Sequence, residues 1–154
     1  MSKMIATFAA LLVTAVALGT GPSTASATTV YDLTADWSNV NNPNGVWSYN
    51  EGANPLPFLP NWGSGIGVSW GRNQERTNPW VPVWYMSTGA ETFGNDIQAG
   101  DVVVHTTDNS GSGQGPANVT WTATFDGIVD ITGHVYMGRD IGRGNRWGLS
   151  LNTR

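Results

Sequence analysis

From Thr28 onward, apolar and polar residues alternate in short runs broken by Gly, Pro, Asn and Asp, and this period of two restricts the fold more than any other feature. Successive side chains on a strand point to opposite faces, so each run gives one apolar and one polar side. Tyr31, Leu33, Ala35 and Trp37 alternate with Asp32, Thr34 and Asp36; Ile66, Val68 and Trp70 alternate with glycines and Ser69. Val119, Trp121, Ala123 and Phe125 alternate with threonines, and Asp126-Gly127 then gives a two-residue hairpin signal, with Ile128 to Met137 as the expected partner strand. No apolar stripe at helical spacing occurs in this part. The expected fold is all-β, with antiparallel sheets packed face to face as a β-sandwich.

Between residues 38 and 64 the alternation loosens, because Pro43, Pro55, Pro57 and Pro60 cannot donate to a ladder. Pro43-Asn44-Gly45 reads as a turn leading into one short strand, Val46 to Tyr49. Residues 108–117 read as a flexible Gly- and Ser-rich loop. The last run places Trp147, Leu149 and Leu151 on one face, just before Arg154. Either this strand lies at a sheet edge, where a bare ladder invites self-association, or the sandwich lacks its last strands.

The first residues differ in kind. Lys3 supplies a positive start, Met4 to Leu18 is an uncharged apolar run, and Ala25-Ser26-Ala27 has the small residues of a cleavage site. The run is shorter than the ~20 residues of a membrane span. Residues 1–27 are therefore expected to be a signal peptide cleaved near Ala27. Residues 28–154 are left as a single secreted, extracellular or cell-surface domain with no membrane span. That domain carries six Arg against eleven carboxylates, a formal charge of −5, which argues against nucleic acid as a partner. It has no Cys, so neither disulfides nor a thiolate metal site is available.

Eight Trp in so small a chain call for sorting. Trp37, Trp70, Trp121 and Trp147 share a face with aliphatic residues and are core candidates. Trp47, Trp62, Trp80 and Trp84 are left over. In "NPWVPVWYM", Trp80, Pro82, Trp84 and Met86 fall on one face and Val81, Val83 and Tyr85 on the other, so that strand is either buried on both sides or offers one as a binding surface. Trp62 sits in a loop, as a lid over the core or as an exposed platform. Trp47 and Tyr49 share one face, and the core reading is favoured for them. A sugar site would draw on Trp62, Trp80, Trp84, Trp47 and Tyr49 for stacking, with Arg72 among the polar neighbours.

Catalytic patterns are not found. No Gly-x-Ser-x-Gly elbow occurs, and Glu51, Glu75, Glu91 and Asp96 show no spacing that selects the facing pair a glycosidase or other hydrolase needs. His105 and His134 lack a partner at ligand spacing, so no metal site is expected. Calcium would need only Asp, Asn and carbonyl groups, but Asp108-Asn109 is the single faint suggestion. No cofactor is expected. Arg139, Arg143 and Arg146 gather around Asp140, as a solvated turn or a seat for an acidic polysaccharide.

The stretches "NPNGVWSYNEG", "GDVVVH", "ANVTWTATFDGIVDITGHV" and "GRGNRWGLSLN" together resemble exported bacterial proteins of the PEP-CTERM, exosortase-sorted type, from about Asp32 to Asn152. The resemblance implies a jelly-roll β-sandwich similar to carbohydrate-binding modules, associated with the cell surface or an extracellular polysaccharide, and brings no catalytic residues. The Pro-Glu-Pro sorting tail of that group is not seen here. The expected function is that of an exported, non-catalytic, carbohydrate-binding-like domain whose partners are glycans or exopolysaccharide. The alternatives are a structural or adhesive matrix component, self-associating through an exposed edge strand, and a hydrolase.

Overall fold

The computed structural model describes residues 5–16, 28–60, 62, 66–72, 82–91, 96–106, 115–142 and 144–151, the first of these by backbone alone. The strands are β1 (Ile5–Val16), β2 (Thr29–Asp32), β3 (Trp47–Glu51), β4 (Asn54–Pro55), β5 (Phe58–Leu59), β6 (Ser69–Gly71), β7 (Val83–Met86), β8 (Val102–His105), β9 (Ala117–Trp121) and β10 (Ile128–Met137). Among the described residues there is no helix, and every strand pairing is antiparallel. One sheet runs β10-β1-β8-β7-β6-β5, with β2 also paired to β1; the other runs β4-β3-β9. The all-β expectation holds, with two antiparallel sheets.

The core follows from the alternation within each strand. Trp47 and Tyr49 of β3 turn inward and meet Trp70 of β6, Trp84 of β7 and Val102 and Val104 of β8, with Leu33 and Leu56 closing the cluster. Sheet packs on sheet through these rings: Tyr49 lies 4.5 Å from Trp37 and 5.9 Å from Trp84, centroid to centroid. The intervening residues of the large sheet, Val83, Tyr85 and Val103, face the other way and are buried as well, under Leu59, Trp62, Ile66 and Ile97. The middle of the large sheet is thus covered on both faces. Gly71 makes this possible in β6, since a Cβ there would come within 2.8 Å of a Val83 methyl carbon.

Four local readings change. The run Tyr31–Trp37 is not one strand: β2 ends at Asp32, whose carboxylate accepts hydrogen bonds from Thr34 N (2.9 Å) and Ala35 N (3.1 Å) and bends the chain into a turn. Short Asp side chains compete in this way with a ladder. Asp126-Gly127 does not close a hairpin, because β9 pairs with β3 and β10 pairs with β1 in the other sheet. Trp147 is not in the core; it is 69% exposed. Residues 147–151 form no strand. By contrast, the turn before β3 is as expected, with Asn44 and Trp47 exchanging backbone hydrogen bonds of 2.9 and 3.0 Å around Gly45, whose φ is +57°.

Candidate interaction surface

Among the described residues, the predicted aromatic side chains do not assemble into an open platform. Trp47 and Tyr49 lie between the sheets, where the Trp47 indole donates to Asp36 Oδ2 at 3.0 Å. Trp84 is fully buried in the same layer. Trp62 is the lid of the opposite layer, only 6% exposed, stacked 6.1 Å from Tyr85 and edge-on to the His105 ring at 5.3 Å. Trp80 lies outside the described residues. Burial on both faces of the large sheet is the physical reason: Leu59, Trp62, Ile66 and Ile97 cover the side of β7 that would otherwise have been wet.

Arg72 is also engaged. It follows β6 on the side facing the small sheet and forms an ion pair and hydrogen bond with Glu51 at the end of β3. Glu51 is 2% exposed, so this pair ties one sheet to the other from within. A guanidinium is suited to such a place because its planar fork matches a carboxylate.

The loop acids take local structural roles. Glu91 accepts from Ser87 Oγ (2.8 Å) and from Thr88 N (3.0 Å), closing its own turn. Asp96 is exposed, and Glu75 and Asp108-Asn109 lie outside the described residues. His105 is buried with Nδ1 2.8 Å from Thr106 O, and His134 is exposed on β10. Among the described residues no group of three His, Cys, Asp or Glu is placed to hold a metal ion. Asp140 accepts from Gly142 N at 2.9 Å, and Arg143 lies outside the described residues.

Two surfaces stand out instead. On the outer side of the small sheet, Asn50 donates to Asn118 Oδ1 (3.2 Å) and Thr120 Oγ1 (3.0 Å), while Ser48 donates to Asn50 Oδ1 (2.5 Å). Ser48, Asn118 and Thr120 are half-buried and form a strip of amide and hydroxyl groups along β3 and β9, over Asn50, which is buried.

The second surface is β10. One of its sides pairs with β1 along almost its full length, from Ala6↔Met137 to Val16↔Ile128; among the described residues no strand pairs its other side. Ile128, Ile131 and Met137 are exposed on it. Protected edges are usually short, or carry Lys or Pro. This one is ten residues long and contains neither. Beyond it, Trp147, Leu149 and Leu151 are exposed by 69, 71 and 90%. Sequence reasoning missed the edge because the hairpin signal assigned a partner to β10. The only warning in the sequence is that Ile128 and Ile131, three apart, break strict alternation.

No protein-family model matches the chain, and no curated protein or solved structure matches it significantly.

Proposed function

We propose that the chain is exported, loses residues 1–27, and serves as a non-catalytic structural or adhesive component at the cell surface or in an extracellular polysaccharide matrix. The observation that carries this reading is the long, unprotected edge of β10 with Ile128, Ile131 and Met137 exposed. A free ladder of N–H and C=O groups beside apolar side chains favours strand-to-strand association between copies. The jelly-roll resemblance agrees with an extracellular role. Sedimentation velocity over a wide concentration range tests it: the exported protein is expected to associate as concentration rises. Ile131→Lys, a charge on the exposed edge, is expected to leave a folded monomer. A species that stays monomeric at every concentration refutes the reading.

A second reading, glycan association, is favoured by the half-buried Ser48–Asn118–Thr120 strip, which the buried Asn50 holds in place, since amides and hydroxyls exchange hydrogen bonds readily with sugar hydroxyls. It would act without aromatic stacking. Affinity electrophoresis through gels containing soluble polysaccharides is expected to retard the protein, and Asn118→Ala to weaken that retardation; unchanged mobility in every gel rules it out.

A further inference from the structure

Strand β1 is drawn from the segment read above as a leader, yet it occupies an interior position of the large sheet. Its first third, Ile5 to Phe8, pairs with the whole of β8, and along its length it holds β10, which has no other ladder partner among the described residues. Removing it would expose the backbone polar groups of Val102–His105, four residues that are otherwise fully enclosed. Buried backbone groups need partners, so the vacated place calls for another strand.

We infer that Trp147–Leu151 of the same chain takes that place once the leader is gone. Four features point to it. The position requires a strand antiparallel to both β10 and β8; a segment that leaves β10 at Met137 and returns through residues 138–146 runs in that direction. The length fits, since five residues cover the stretch of β1 that pairs with β8. The alternation fits too. With Trp147 where Ala6 now stands, Trp147 and Leu149 lie opposite Val104 and Val102, and both valines belong to the core between the sheets. Finally, the gap is framed independently of β1: the Tyr136 hydroxyl donates to the Asp101 carboxylate, and Asp96 N donates to Gly138 O at 3.1 Å. These contacts hold the end of β10 one strand away from the start of β8. Leader and C-terminal segment are thus alternative occupants of one sheet position, and the exposed apolar face at Trp147, Leu149 and Leu151 is the state in which the leader still fills it.

This inference rests on the proposed removal of residues 1–27, but not on association through β10, whose outer edge stays open in either arrangement. In the inferred pairing Ser150 comes opposite His134, where Ala9 now stands. The natural chain has no Cys, so an engineered pair has no background. His134→Cys/Ser150→Cys is to be made in two forms: exported protein, its N-terminus read by mass spectrometry, and cytosolic protein that keeps its leader. After mild oxidation the exported form is expected to give an intramolecular disulfide in nearly all molecules, and the leader-bearing form little. Hydrogen exchange should show the β8 amides protected in both. An exported product that retains residues 1–27 overturns the inference. So does a disulfide that forms between chains, or none at all, whether β8 is then unprotected or pairs directly with β10. A cross-linked monomer that never associates leaves the strand exchange standing and removes the proposed assembly, so the two readings fail separately.

Discussion

Replacing Arg72 removes the cation that faces an almost inaccessible carboxylate, and the size of the loss can be worked from the geometry. Glu51 is 2% exposed, whereas the Arg72 side chain is about a third exposed (34%). Breaking a fully buried pair costs about 3–5 kcal/mol, because the remaining charge stays desolvated. Water reaching the guanidinium lowers this, and about 2–3 kcal/mol is expected for Arg72→Ala. For a domain of this size that is a fall in Tm of roughly 8–12 °C. Glu51→Leu/Arg72→Met, which removes both charges and keeps apolar bulk, is expected within about 1 kcal/mol of the natural protein. Urea unfolding of Glu51→Leu, Arg72→Met and the double variant, followed by circular dichroism, closes a double-mutant cycle with a coupling of about 2 kcal/mol. If the single losses simply add in the double variant, or if Arg72→Ala costs under about 0.5 kcal/mol, the pair is not the inter-sheet tie described.

Trp62→Ala empties the layer above Tyr85 and is expected to cost about 3–5 kcal/mol in urea unfolding, a truncation cost that an exposed platform residue would not show. Asn42 spans two segments, donating to Tyr49 O (2.8 Å) and Leu56 O (2.9 Å) and accepting from Tyr49 N (2.9 Å). Asn42→Ala should therefore lose about 2–3 kcal/mol, measured the same way, at about 1 kcal/mol per hydrogen bond. Burial pushes the Tyr49 and Tyr85 hydroxyls well above their ordinary value of 10, with Asp36 and Glu91 adding to the effect at Tyr49 and Tyr85 respectively. The unfolded chain then gives up these protons first, so stability is full below pH 10 and falls above it, by up to about 1.4 kcal/mol per pH unit for each tyrosine. Denaturant midpoints measured between pH 9 and 11 check this, and a flat profile refutes it.

Much of the fold was legible because burial obeys strand alternation: the inward positions of β3, β7 and β9 were predictable from their neighbours, whereas Ile66 and Trp70, expected on one face, lie in opposite layers because β6 begins only at Ser69. The sorting of Trp80–Met86 into two faces likewise places Trp84 and Tyr85 in opposite layers, as found. Pairing was less legible. Asp126-Gly127 has the composition of a tight turn, but local turn chemistry cannot tell whether the next strand stays in the same sheet, and here β10 crosses to the other one. Trp147 misled for a related reason, since periodicity shows that a segment has an apolar face and not that a partner covers it. The described aromatic candidates form no open platform because Leu59, Trp62, Ile66 and Ile97 bury a face that composition alone left open. The Glu51–Arg72 tie joins residues 21 apart through the tertiary fold, and no spacing rule announces it.

The pairing of β1 with β10 also has a consequence in time. Ala6 meets Met137 across nearly the whole chain, so this ladder cannot begin to close until β10 has left the ribosome. Contacts of such long separation form slowly. During synthesis Leu12–Ala15 can meet β2 first and Ile5–Phe8 can meet β8 later, while the side of β1 that β10 will occupy stays open to the end. The longest ladder of the large sheet is therefore the last to close, and its outer edge is the last surface the folding chain presents.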